Sequence, residues 1–252
     1  MEPSMIYEVI TFAERPAPEE DVTRIIDQGW PRFMLFDPVA DRYWTRLHTY
    51  FPQYQLALYD DDMNVIAIGN SVPFQWDGRD ESLSPRGWDW VMETAVQGYE
   101  AGDTPNALSA ISITVARSHI GRGVSGQVVR AMRRVARDGG LKAMVAPVRP
   151  NLKSLYPLTP MERYILWKTA EGTPFDPWLR GHFKAGARIV KVCPQSMNIP
   201  GSVDQWEEWA SMIFPESGQY VVPGALNPVE INVEDDLGLY IEPNIWVVHD
   251  LS

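Results

Sequence analysis

Residues 107–138 read A-L-S-A-I-S-I-T-V-A-R-S-H-I-G-R-G-V-S-G-Q-V-V-R-A-M-R-R-V-A-R-D, and this stretch decides the fold. An apolar, β-rich segment centred on Ile111 to Val115 enters a glycine-rich turn, and a strongly helical segment leaves it. Strand, loop and helix N-terminus in that order leave backbone N–H groups without intrahelical partners. The positive end of the helix dipole lies at the same point, so the junction favours an anion.

The glycines are Gly121, Gly123 and Gly126, and glycine lets a backbone approach a ligand with no Cβ in the way. Two familiar nucleotide signatures do not fit. The loop lacks the Lys-Ser/Thr ending of a P-loop, and no acidic ribose ligand follows the glycines at the distance a dinucleotide fold requires. A plain strand-to-helix turn is the competing reading. Charge argues for the anion: residues 117–153 hold Arg117, Arg122, Arg130, Arg133, Arg134, Arg137, Lys142, Arg149 and Lys153 against the single acid Asp138, inside a chain of net charge −11. Arg130, Arg133, Arg134 and Arg137 share one side of the helix and read as a solvated face, whereas Arg117 and Arg122 flank the loop.

Beyond the helix, Gly139-Gly140 reads as a stop and Ala143 to Val148 as the next strand, which makes a βαβ crossover with parallel strands. Val115 to Ser125, V-A-R-S-H-I-G-R-G-V-S, resembles the acyl-CoA pyrophosphate loop of the GNAT superfamily of acyltransferases, whose pattern is Gln/Arg-x-x-Gly-x-Gly/Ala. Gly121, Arg122, Gly123 and Val124 fall into register. Ile120 stands where Gln or Arg is usual, and Ser125 where Gly or Ala is usual.

The resemblance implies an α/β fold (α+β by some schemes). It would have a mixed, mostly antiparallel central sheet, helices on both faces and a central βαβ unit whose two strands splay to admit the acyl-pantetheine arm. It implies acetyl-CoA or another acyl-CoA as co-substrate. The implied binding residues are Val115, Arg117, Ile120, Gly121, Arg122, Gly123, Val124, Ser125, Gly126, Asn151 and Lys153, with Arg117 or Arg122 replacing the phosphate contact that Ile120 cannot make. A backbone N–H near Val115 would polarise the acyl carbonyl.

R-P-N-L-K-S-L-Y, residues 149–156, is similar to the family segment in which an Asn begins a helix carrying a Tyr that protonates the departing thiolate. Asn151 and Tyr156 take those places, five apart where seven is usual. Glu162 and His182 are the candidate bases. His182 is also the residue carried over from GNAT-like loading domains of polyketide synthases, where a His takes part in malonyl-CoA decarboxylation and acetyl transfer to a carrier-protein thiol. Three readings follow: an N-acetyltransferase acting on an amine, a decarboxylating S-acetyltransferase acting on a carrier protein, and a non-catalytic acyl-CoA-binding protein.

Composition sets the outer limits. The 252 residues are 45% apolar, with no run long enough for a membrane helix and no basic, apolar leader at the start. Cys193 is the single cysteine, which excludes an intramolecular disulfide and a Cys-based zinc site, and His48, His119, His182 and His249 show no ligand spacing. No metal is expected. An acidic pI near 4.8 argues against nucleic-acid and anionic-membrane partners. The expected setting is cytoplasmic, and the acidic surface favours a cationic amine such as a polyamine, an aminoglycoside or a Lys side chain.

One domain is expected over 1–252: strands, helices and an insertion over 1–106, the acyl-CoA core over 107–158, and an elaborated C-terminal region over 159–252. Met5 to Phe12, Gln55 to Tyr59 and Asn64 to Phe74 read as strands. Glu19 to Phe36, Asp41 to Tyr50 and Val91 to Tyr99 carry helical spacing. Arg188 to Val192, Tyr220 to Val222 and Ile245 to Val248 are candidate closing strands. Trp167, Trp178, Trp206, Trp209 and Trp246 are mostly core, and the acceptor and its chemistry are expected among this Trp-rich tail.

Overall fold

The computed structural model describes residues 7–251. In chain order the elements are β1 (Glu8–Thr11), α1 (Glu19–Gly29), α2 (Pro38–Tyr43), α3 (Arg46–Tyr50), β2 (Leu56–Tyr59), β3 (Val65–Phe74), α4 (Gly87–Ala101), β4 (Ala107–Val115), α5 (Val124–Asp138) and β5 (Ala143–Val148). There follow α6 (Met161–Tyr164), α7 (Pro177–Lys184), β6 (Arg188–Gly201), α8 (Val203–Ala210), β7 (Gly218–Tyr220), β8 (Val229–Asn232) and β9 (Leu237–Asp250). The strands form one sheet in the order β1-β2-β3-β4-β5-β9-β8-β7, with β6 also pairing with β9. Every pairing is antiparallel except β4 with β5. Helices flank the sheet, α5 against β3 and β4, and α4 against β3 and β6.

Two details of β4 create the site. Its parallel ladder with β5 covers only Ala107↔Ala143, Leu108↔Met144 and Ser109↔Val145, although both strands run on. Beyond Ser109 the strands therefore part, leaving a row of backbone groups on each. On the other edge, the register with β3 slips between Asn70 and Ser71, which face Ser112 and Ala110. Ile111 is the extra residue of a β-bulge, and the bulge re-aims the strand where the ladder opens.

The reading of 19–36 as one helix fails at Pro31. A proline has no N–H to continue the ladder and pushes the residue before it out of helical geometry. Trp30 is extended, and Arg32–Phe36 forms a separate 3-10 turn. The 41–50 reading likewise divides into α2 and α3. An Asp-Pro pair starts α2: the Asp37 side chain accepts from the N–H groups of Val39 and Ala40, with Pro38 at the first helical position.

The strand expected over 5–12 is Glu8–Thr11 among the described residues, and Met5 and Ile6 lie outside them. β6 and β9 are far longer than the short closing strands expected, and β8 was not anticipated. The helix expected after Asn151 is only a 3-10 turn over Lys153–Leu155, because Pro157 and Pro160 follow at once.

The tail tryptophans Trp206, Trp209 and Trp246 are buried core residues. Trp178 of the tail lines the cleft described below, and Trp30, Trp44 and Trp88, from the N-terminal half, line a cavity beside it.

Candidate active site

A cleft of about 520 Å³ follows the gap between β4 and β5. Its walls include Ile111 to Val115, Ala146 to Arg149, the glycine loop, and Trp178 and His182 of α7. At the loop end, Gly121 and Gly123 have φ of 81° and 76°, the left-handed region that glycine enters at no steric cost, and a Cβ at either would meet open space. Gly123 caps α5 without any side-chain cap, so the first-turn N–H groups of Val124, Ser125 and Gly126 have no carbonyl one turn earlier in the helix. This is an anion cradle made from backbone.

Of the residues expected to hold CoA, Val115, Ile120, Gly121, Gly123, Val124, Ser125 and Asn151 line the cleft. Arg117 and Arg122 are exposed on the flanking loop, and Gly126 lies in the first turn of α5. Lys153 is elsewhere. It is fully buried, with Nζ donating to the carbonyls of Tyr156 and Leu226, so its charge serves the chain's own backbone. Two of the arginines in the basic window are similarly committed. Arg133 donates to the Ala185 carbonyl at 2.8 Å rather than joining a solvated face, and Arg149 is bound to Glu242.

The candidate catalytic residues separate in space. His182 lines the cleft, 2% exposed, with Nδ1 2.9 Å from His249 Nε2 and its Nε2 without a protein partner. Burial, and then the neighbouring His249, push its imidazole down to about 3, so it is neutral at pH 7. Tyr156 is absent from the cleft wall, its ring edge-on to Trp167 at 4.9 Å and packed beside Tyr164 and Phe175. Glu162 is exposed on α6, also outside the cleft. Asp176 ties the segment after β5 to α7. It caps α7 through Trp178 and Leu179 and accepts from Leu152 N–H and the Tyr164 hydroxyl.

A second cavity, of about 330 Å³, adjoins the cleft, since Trp30, Trp88, Ile111, Ser112 and Met197 line both. The sequence reading missed it, because its walls converge from α1, α2, α4, β4 and β6 and no spacing marks them. Trp30 is fixed by an Nε1–H bond to Thr114 Oγ1 and Trp88 by one to the Ile111 carbonyl, each 2.9 Å. Trp44 stacks on Trp88 at 6.4 Å. With the Trp30 and Trp88 donors engaged in this way, the cavity is walled mainly by apolar surface, and Asp41 stands exposed at its rim. The end of α1 comes so close to β4 that a Cβ at Gly29 would lie 2.3 Å from Thr114 Cγ2.

Behind this cavity lies a buried acid pair, Asp37 and Asp89. Each has one carboxylate oxygen without a donor, while Asp89 Oδ2 accepts from Asn198 N–H. Burial drives both carboxyls up, Asp37 to about 6 and Asp89 to about 8, and for Asp89 the neighbouring Asp37 charge adds to it. The folded chain thus keeps protons that the unfolded chain has released. Between about pH 4 and pH 8 the folded state binds more protons, so stability falls as pH rises through that window. Asp89→Asn removes the ionisation and keeps an acceptor for Asn198. Its melting temperature is expected to exceed wild type by a few degrees at pH 8 and to match it near pH 5, in thermal melts at the two pH values.

No protein-family model matches the chain. A search of curated proteins finds arginine N-acetyltransferase avaD of Aspergillus versicolor, 34% identical, over 97% of this chain and 94% of that protein. The chain belongs to the GNAT superfamily of acyltransferases. Among solved structures, the loading GNATL domain of CurA from Lyngbya majuscula superposes with a TM-score of 0.63 at 17% identity, covering 98% of each chain. The GphF GNAT-like decarboxylase in complex with isobutyryl-CoA gives 0.56 at 15%, over 97% of this chain and 100% of that one. These two share the GNAT fold.

As a GNAT enzyme the protein is an acyl-CoA-dependent N-acetyltransferase. Among the described residues no His/Cys/Asp/Glu group could hold a metal ion, and no helix is long and apolar enough to cross a membrane.

Proposed function

We propose that this GNAT transfers the acetyl group of acetyl-CoA to a nitrogen of arginine or an arginine derivative. The observation that carries the acceptor is the cavity of Trp30, Trp44 and Trp88 with Asp41 at its rim, opening into the donor cleft. Indole faces attract a guanidinium through their quadrupole, and a carboxylate supplies the counter-charge. The relative's activity on arginine supports the same reading.

In this scheme the pyrophosphate sits on the N–H groups of Val124, Ser125 and Gly126, with Arg117 and Arg122 nearby, and the pantetheine arm runs along the open edge of β4. The reacting carbonyl then lies at the Ile111–Ser112 bulge, where cleft and cavity meet, rather than at Val115. The acceptor nitrogen attacks the thioester carbon. The C–N bond forms, the C–S bond breaks and CoA leaves as thiolate, while holding the two partners in place supplies much of the rate.

His182 offers its Nε2 to the donor as a neutral hydrogen-bonding group; with its basicity so depressed it is a poor base. We assign the proton lost by the nitrogen, and the one taken up by the thiolate, to water in the cleft, because Glu162 and Tyr156 stand apart from its wall.

The test is a panel of arginine, lysine, polyamine and aromatic amines with acetyl-CoA, read by thiol release and product mass. Arginine compounds are expected to react best, and a preference for any other class would overturn the reading. Asp41 is exposed, so Asp41→Asn leaves folding intact. It is expected to raise the KM for the arginine acceptor about 10-fold, with kcat and the KM for acetyl-CoA within about 2-fold.

A further inference from the structure

We propose that His249 is a positioning residue: it holds His182 in the tautomer that carries its proton on Nε2, and His182 donates that N–H to the thioester of acetyl-CoA in the cleft. The proposal deepens the hydrogen-bonding role given to His182 above and holds for any amine acceptor. His182 lies on α7 and lines the cleft, while His249 lies on β9, opposite Met144 of β5, and is absent from the cleft wall. The two rings meet through His182 Nδ1 and His249 Nε2 at 2.9 Å. His182 Nε2 bonds to no protein atom. An edge-on contact with Trp178 of the preceding turn, 4.5 Å between ring centroids, holds the His182 ring in place.

Both rings are buried, and burial pushes their imidazoles down, His182 to about 3 and His249 to about 4, so each is neutral at pH 7. A neutral imidazole has one N–H and one lone pair, so the contact permits two arrangements. If His182 Nδ1–H donates, His249 must carry its own proton on Nδ1, a buried atom with no partner. If His249 Nε2–H donates, that Nδ1 is a lone pair instead. Arg133 decides between them. Its guanidinium donates to the Ala185 carbonyl at the end of α7, its charge acts on His249, and its own Nε–H is buried without an acceptor. The first arrangement sets an unpaired N–H beside a cation that already has one to spare. The second sets a lone pair there, which the cation favours, and buried N–H groups are the orphans that proteins tolerate least. With His249 protonated on Nε2, His182 accepts at Nδ1 and carries its own proton on Nε2. The cleft therefore meets a fixed hydrogen-bond donor and not a base, able to stabilise negative charge on the thioester oxygen or the leaving sulfur.

The first measurement is heteronuclear NMR of protein carrying nitrogen-labelled histidine, with His48→Gln and His119→Gln, which leaves the buried pair as the only histidines. Both rings are expected as Nε2–H tautomers, and saturating acetyl-CoA is expected to shift the Nε2 resonance of one of them. Nδ1–H tautomers, or a spectrum that acetyl-CoA leaves unmoved, would overturn the proposal. The second measurement is steady-state kinetics on whichever amine of the panel above reacts best, so a failure of the arginine reading leaves it intact. His249→Leu is expected to lower kcat by about 10- to 100-fold with the KM for acetyl-CoA within about 3-fold. His249→Gln, whose side-chain amide can still donate to His182 Nδ1, is expected to regain most of that loss. Wild-type kcat in the Leu variant, or no gain from Gln over Leu, counts against the proposal. The NMR measurement needs no change at His249, so an unstable variant there does not remove the test.

Discussion

Replacing Ser125 by Glu is expected to raise the KM for acetyl-CoA by about 10- to 100-fold while leaving the protein at least as heat-stable as wild type. The two halves of that result come from the same physics with opposite signs. Ser125 occupies the first turn of α5, where Gly123 supplies no side-chain cap, so a carboxylate there complements the helix dipole and stabilises the helix by about 0.3–1 kcal/mol. The same residue lines the cleft beside Gly121 and Gly123, where the donor's pyrophosphate would sit, and two like charges at close range oppose binding. Thermal melts and donor-dependent rates measured on one preparation separate these effects. A variant that melts higher yet binds acetyl-CoA as well as wild type would show that the anion lies elsewhere.

Glu242→Ala is expected to cost about 3–5 kcal/mol of stability, the usual range for leaving one member of a buried ion pair alone. Glu242 is fully buried and accepts from Arg149 Nε at 2.9 Å, the Tyr240 hydroxyl at 3.0 Å and Asn244 Nδ2 at 2.9 Å. Truncation strands all three donors at once. For a chain of this length the melting temperature should fall by about 6–20 °C. Glu242→Gln, which keeps acceptor capacity for Tyr240 and Asn244, should fall by less. Equal losses for the two variants would mean that the charge itself, rather than the number of acceptors, holds the network.

The strand, glycine loop and helix of the candidate site were legible in the sequence because they form one continuous stretch. Strand, glycine loop and amphipathic helix are local patterns, and the anion cradle they make is backbone, so neither Ile120 nor Ser125 in unusual places obscured it. The adjoining cavity, the proposed acceptor site, was not legible. Trp30, Trp44 and Trp88 lie far apart in the chain and gain meaning only when three elements converge. A tryptophan that packs a core and one that walls a cavity look alike in a string.

Lys153 and Arg149 show the converse error. Counting both toward a basic window overlooks that burial commits Lys153 to carbonyl groups and Arg149 to Glu242, and the sequence offers no sign of either partner. The Asp-Pro pairs at 37–38 and 176–177 did carry a readable signal, since an Asp cap followed by Pro starts a helix, and both start one here.

β9 joins β5, made long before it, to β6 and to β8, which immediately precedes it. β5 ends at Val148, and its outer edge pairs with β9, whose partners there begin at Ile245. Until that strand arrives, β5 presents a bare hydrophobic edge, and β6 and β8 have no shared partner. Loop closure over this separation is slow, and an open edge of this kind invites pairing with other chains. The enzyme's yield during synthesis should therefore depend on how quickly its last strand is delivered and on how well the waiting edge is shielded meanwhile. That requirement arises from the order of the strands alone and has no counterpart in the finished fold.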